Sequence, residues 1–197
     1  GPARLTASGG ARPKTVLTVA MAFFALAALA GAVLVVISQL WWLLAVGAAA
    51  IVAAWYYTGG KRPYGYAGLG ELAVFVFFGL VATIGTTYVQ IESVPTESWL
   101  GAIGMGFLAC AVLVVNNLRD IEQDKLAGKR TLSVVIGPRW SRVLFGVLVL
   151  TPFGIVVFFS ALYPLALLGL FGLLLAAPAV LITATARTAR ELILVLT

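Results

Sequence analysis

The chain has 197 residues, of which 62% are hydrophobic and 10% charged, and its mean hydropathy is +1.08. A soluble domain carries roughly 25% charged residues, and one this apolar could not cover its surface, so lipid is the expected solvent. Thirteen Lys and Arg against seven Asp and Glu leave a net charge of +6, and because these charges are segregated along the chain they speak for membrane topology and against a nucleic-acid partner. The absence of histidine excludes His-ligated zinc, His-held haem and a Ser-His-Asp triad within the chain, and the single cysteine, Cys110, has no intramolecular disulfide partner.

In chain order, Gly1-Pro2-Ala3-Arg4 comes first, with no initiator Met and none of the regions of a signal peptide. Six apolar segments follow that are long enough, or nearly so, to cross a bilayer, for which about 20 residues are needed. They run from about Thr15 to Ile37, Leu40 to Tyr57, Leu72 to Tyr88, Trp99 to Val115, Val143 to Leu162 and Leu165 to Thr185. The breaks at Ser38-Gln39 and Tyr163-Pro164 read as tight turns between antiparallel helices, since Pro164 removes a backbone donor. Leu192 to Thr197 ends within an apolar stretch, and together the two ends suggest a fragment of a longer protein. The expected fold is all-α and polytopic, with residues 1–197 forming a single transmembrane domain that has polar loops at 58–71 and 116–142.

The basic residues test this count. Arg4, Arg12 and Lys14 precede the first segment, and Lys61 and Arg62 separate the second from the third. Arg119, Lys125, Lys129, Arg130, Arg139 and Arg142 lie between the fourth and fifth, and Arg187 and Arg190 follow the sixth. Six antiparallel crossings place all of them on one side, whereas the opposite loops hold only Glu92 and Glu97. An asymmetry this complete predicts that the basic side is cytoplasmic. Trp41, Trp42, Trp99, Tyr56 and Tyr57 cluster near segment ends, as an interfacial belt does, and Gly101, Gly104 and Gly106 suit close helix packing.

Two loops carry chemistry. If the fourth helix continues through Asn117, Asp120 and Asp124, their i, i+3, i+7 spacing puts one amide and two carboxylates on one face at the membrane boundary. Two carboxylates suit a hard cation such as Mg²⁺, which keeps waters and shares itself with phosphates, and Lys125, Lys129 and Arg130 follow at once to meet anionic oxygens. The alternative is a solvated mixed-charge loop with weak ion pairs. The second loop, 58–71, combines five glycines, Tyr64 and Tyr66, the basic pair Lys61 and Arg62, and Glu71. Glu71 opens a helix, where a carboxylate suits the positive end of the dipole or could contact a polar substrate or act as a base. Lys61 and Arg62 are either topology signals or part of a pocket.

The stretch Tyr64 to Glu71, continuing through Val74 to Gly79, and the segment Asn116 to Leu132 resemble the UbiA-type intramembrane prenyltransferases. More narrowly, they resemble the branch that acts on 1,4-dihydroxy-2-naphthoate in menaquinone synthesis. Gly1 to Gly9 is similar to the loop that follows the first acidic motif in that family. The resemblance implies nine helices around a cavity, of which this chain would supply six, and two facing acidic motifs that bind a polyprenyl diphosphate through Mg²⁺. Only the second motif, at Asn117, Asp120 and Asp124, is matched here, so this stretch alone is expected to be inactive. The implied reaction transfers the polyprenyl group to the naphthoate with loss of CO2 and diphosphate, giving demethylmenaquinone in the bacterial cytoplasmic membrane. The resemblance assigns Asp120 and Asp124 to metal and catalysis with Asn117 as a further ligand, Lys61, Arg62, Lys129 and Arg130 to the diphosphate, and Tyr64, Tyr66 and Glu71 to the acceptor. Oligomeric state is left open. The competing readings are another aromatic acceptor on the same fold and a non-catalytic lipid-binding or transport protein. Membrane phosphatidyltransferases fit less well, because their D-G-x-x-A-R core is missing.

Overall fold

The computed structural model describes residues 9–196, and every regular element among them is helical. The Gly1 to Gly9 stretch and Arg4 therefore lie outside the described residues, apart from Gly9. Five helical stretches are long and apolar enough to cross a membrane: Pro13–Ser38, Gly70–Ile91, Thr96–Arg119, Leu132–Ser160 and Pro164–Thr185. The sixth expected segment is the shorter apolar helix Leu43–Thr58, at 16 residues. The protein is a polytopic all-α membrane protein. Internal packing divides the chain between Trp55 and Tyr56 into two compact units.

The first unit holds helix α1 (Pro13–Ser38) and most of α2 (Leu43–Thr58). Pro13 opens α1, where its missing N–H costs nothing, and Gln39 ends it in the left-handed conformation at φ 58°. Only Val35 of α1 is buried. Large apolar side chains such as Phe23, Leu29 and Ile37 are exposed, as helices solvated by lipid require.

The second unit is built around α5 (Thr96–Arg119). Pro95 precedes it, Glu97 lies in its first turn and Arg119 in its last, each complementing the dipole. Ala102, Gly106, Cys110, Ala111, Val114, Val115 and Leu118 recur at helical spacing and form its buried face. Against this face lies a continuous span made of α3 (Gly70–Val74), a seven-residue π-helical segment (Phe75–Val81) and α4 (Ala82–Ile91). At the crossing, Gly79 meets Gly106 so closely that a Cβ on Gly79 would lie 2.5 Å from the Gly106 Cα. The wide turn and the glycine pair coincide, and π-turns in other proteins often border functional sites.

A short helix, α6 (Ile121–Leu126), follows α5, and α7 (Leu132–Ser160) packs along α5. Much of the loop expected at 116–142 is therefore helical. Hydropathy hides this because the first turns of α7 carry Arg139 and Arg142. Gly137, at φ 80° and ψ 169°, breaks α7 just before Pro138, and the Ser141 hydroxyl donates to the Gly137 carbonyl at 2.8 Å. A 3-10 stretch (Pro164–Gly172) leads into α8 (Leu173–Thr185), and α9 (Ala189–Ile193) returns to α5. Arg142 of α7 donates from Nε to Thr183 O at 3.2 Å and from Nη2 to Ala186 O at 2.9 Å. A residue grouped with the topology charges is thus also the cap of α8.

Candidate functional site

The acidic segment grows directly out of α5. Asp120 sits between α5 and α6 at φ −96° and ψ 8°, yet its N–H still reaches Asn116 O and its carbonyl accepts from Asp124 N–H at 2.9 Å. The helix thus nearly continues through the motif, with one distorted residue. That distortion has a consequence. Successive residues of a regular helix do not face each other, but here Arg119 grips Asp120 with two bonds, Nε to Oδ1 at 2.9 Å and Nη2 to Oδ2 at 2.8 Å. Both side chains are largely shielded.

The next turn is closed by a Schellman motif. Gly128, at φ 69°, lets its own N–H reach Lys125 O and the Lys129 N–H reach Asp124 O at 2.9 Å. The chain folds back over the end of α6, and Lys129 Nζ comes to 3.1 Å from Asp124 Oδ1. Asp124 is buried, at 6% exposure, so this ion pair is shielded from solvent. Lys129 Nζ also lies 4.5 Å from the centre of the Tyr66 ring, a cation–π contact. Beside it, the Arg130 N–H donates to Tyr66 O at 2.9 Å. The two polar loops picked out in the sequence are therefore tied together, through Tyr66 on one and Lys129 and Arg130 on the other.

The glycine–tyrosine loop has its own scaffold. Tyr64 to Tyr66 form a single 3-10 turn after Pro63. The Tyr57 and Tyr64 rings meet edge to face at 5.5 Å, and burial pushes the Tyr64 phenol above its ordinary pKa. Gly65 runs so close to Tyr57 that a Cβ there would lie 2.6 Å from the Tyr57 carbonyl oxygen. Gly70 then opens α3, with Glu71 in its first turn as expected. Glu71 is buried, and its Oε1 accepts from Asn117 Nδ2 at 3.0 Å while its carbonyl accepts from the Cys110 thiol at 3.1 Å. Thus Glu71 meets the acidic segment rather than standing apart from it.

The structure joins Asn117 with Glu71, and Asp124 with Lys129 and Tyr66. Lys61 and Arg62 are exposed and make no ion pair among the described residues. The Arg130 side chain is exposed as well, its contribution here being the backbone bond. Sequence reasoning missed Tyr57, Cys110 and the role of Arg119; only the direct Arg119-Asp120 adjacency was a readable signal for any of them. Among the described residues no three His, Cys, Asp or Glu side chains converge. As a donor set, two carboxylates and an amide oxygen nonetheless suit Mg²⁺ of the kind that takes its remaining ligands from water and substrate phosphate.

The sequence matches the UbiA prenyltransferase family over residues 1–192. Among curated proteins it is 49% identical over 145 residues to a Mycobacterium tuberculosis protein named 1,4-dihydroxy-2-naphthoate octaprenyltransferase, covering 74% of this chain and 49% of that protein. A Haemophilus influenzae protein of the same name is 56% identical over 87 residues, or 44% of this chain and 28% of that protein. A mouse protein named UbiA prenyltransferase domain-containing protein 1 is 37% identical over 97 residues, 49% of this chain and 29% of the other. The chain thus spans at most about half the length of these relatives. No solved structure matches it.

Proposed function

The chain belongs to the UbiA prenyltransferase family, and from that premise we propose that it is part of a single membrane domain that transfers a polyprenyl group from its diphosphate to 1,4-dihydroxy-2-naphthoate. The observation that carries the reading is the junction of the two loops, where Lys129 lies between Asp124 and Tyr66. A cation beside a carboxylate and an aromatic ring, at the end of apolar helices, suits a substrate with an anionic head and a long apolar tail. The names of the mycobacterial and Haemophilus relatives support the acceptor.

In this reading Asp120 and Asp124 hold Mg²⁺ with the Asn117 carbonyl oxygen, while the Asn117 amide nitrogen stays on Glu71. When bound, the ion neutralises diphosphate oxygens and so makes diphosphate a better leaving group. Lys129 and Arg130, with Lys61 and Arg62 drawn inward from the surface, bind the remaining oxygens. As the allylic C–O bond breaks, its electron pair leaves on the diphosphate. The electron-rich ring carbon bearing the carboxylate attacks the prenyl carbon, and CO2 then departs, leaving its bonding pair in the ring. The product is the prenylated naphthalenediol, the reduced form of demethylmenaquinone. Tyr64 and Tyr66 are assigned to the acceptor side, where their ring faces accommodate an aromatic substrate and developing positive charge. Glu71 orients Asn117 and stands as the candidate base, which would take the proton of an acceptor hydroxyl as the ring carbon attacks and return it once CO2 has left. We place this domain in the bacterial cytoplasmic membrane with both loops on the cytoplasmic side.

The test uses the full-length protein in detergent with Mg²⁺, a labelled polyprenyl diphosphate and 1,4-dihydroxy-2-naphthoate. Prenylated product and released CO2 are expected, and Asp120→Ala and Asp124→Ala should each abolish both. Turnover only with another aromatic acceptor would reject the naphthoate assignment. Undiminished turnover in the two variants would reject the metal assignment.

A further inference from the structure

An open groove of about 890 Å³ runs between α7 and α8. Arg139 and Arg142 line one end, and Gly146, Val147, Leu150 and Val180 line its length. We propose that this groove binds an anionic phospholipid, with the phosphate at the arginine end and one acyl chain along the apolar floor.

Charge, depth and shape each point to that occupant. No acidic residue lines the groove, so its positive end is not neutralised from within. Arg139 is exposed and makes no ion pair among the described residues. Arg142 is held in place by the carbonyls of Thr183 and Ala186, which fixes a second cation at the same end. Between them on α7, Trp140 is 62% exposed, and exposed tryptophans favour the membrane interface. From Arg139 to Leu150 the helix rises about 16 Å, roughly half of a 30 Å hydrocarbon core and so the depth of one leaflet. Gly146 keeps the floor low: a Cβ there would meet Val180 at 3.7 Å, and any longer side chain would occupy the trough.

The site shares no residue with the acidic centre and stands whether or not the proposed reaction is right. A polyprenyl diphosphate is the less suitable guest, because the lining supplies no carboxylate to hold the metal that its charge calls for.

The experiment is native mass spectrometry of the full-length protein released from detergent after exposure to phosphatidylglycerol or phosphatidylcholine with identical acyl chains. Preferential retention of phosphatidylglycerol is expected. Arg139→Gln should reduce that preference about five-fold, the factor associated with one basic residue near an anionic surface. Gly146→Leu should reduce retention of phosphatidylglycerol by filling the trough. Equal retention of the two lipids by the unaltered protein would overturn the proposal, as would a preference untouched by Arg139→Gln. Displacement of phosphatidylglycerol by polyprenyl diphosphate would also overturn it and assign the groove to substrate. Should Gly146→Leu not fold, the exposed Arg139 variant decides alone.

Discussion

Glu71 and Asn117 are 46 positions apart in the chain and meet as a shielded carboxylate–amide pair. Neither the helix-opening position of Glu71 nor the motif spacing of Asn117 reveals this, because the pair exists only when α3 packs on α5. The substitutions Glu71→Gln and Glu71→Ala separate its possible roles. Glutamine can still accept from Asn117, so Glu71→Gln should melt near the unaltered protein in detergent. Alanine strands the amide and should cost about 1–3 kcal/mol. If Glu71 merely orients Asn117, the glutamine variant also keeps prenyl transfer in the full-length protein; a base would be lost in both. Gly128 makes a second residue-scale case. Its left-handed φ was invisible in the motif, yet it sets the turn that carries Lys129 over Asp124. Gly128→Ala should cost about 1–2 kcal/mol and weaken retention of polyprenyl diphosphate, measured by equilibrium binding. Unchanged binding would mean that the lysine does not depend on the turn.

The helices themselves were legible because lipid demands long apolar runs, but their register and ends were not. Hydropathy is the same whether a turn is α or π, so the Phe75–Val81 segment left no trace in composition. What the sequence did contain was glycine at the crossing. Gly79→Ala would press a methyl group onto backbone, 2.5 Å from the Gly106 Cα and 2.9 Å from Ala102 O, and backbone cannot rotate aside. Its expected cost is about 1–3 kcal/mol or more, whereas Gly85→Ala on the same span meets nothing within 4 Å and should be neutral. Thermal unfolding of the two variants in one detergent makes the comparison. At α9 the Thr188 side chain caps the helix: its hydroxyl accepts from the Glu191 N–H and donates to the Glu191 carboxylate. The Arg187 N–H, followed by the Thr188 hydroxyl, holds the Glu191 carboxyl below its ordinary pKa. A lowered folded-state value means that the stabilisation is full above the ordinary glutamate range and disappears as pH falls through the lowered value. Hydrogen exchange in α9 should therefore accelerate on acidification, and Thr188→Ala should already show part of that acceleration at neutral pH.

At the scale of the whole molecule, helix length and loop charge give different weight to α2. Its 16 residues span only about 24 Å at 1.5 Å each, short of a 30 Å core. Length alone would leave it in doubt, yet the basic residues are ordered only if it crosses. Were it to lie on one face, Lys61 and Arg62 would fall opposite Arg12 and Lys14, and every later loop would change sides. Trp41 and Trp42 just before α2 are half-exposed aromatics of the kind that anchor a short span at the interface. Single cysteines in a Cys110→Ser background of the full-length protein test this directly. With an impermeant thiol reagent, Lys14→Cys, Lys61→Cys and Lys125→Cys should react only after the cells are opened, and Ser93→Cys should react in intact cells. Labelling of Lys61→Cys from outside, with Lys14→Cys protected, would remove α2 from the membrane. If Lys125→Cys alone reacted from outside, the acidic segment would face away from the side on which the proposed substrates are met.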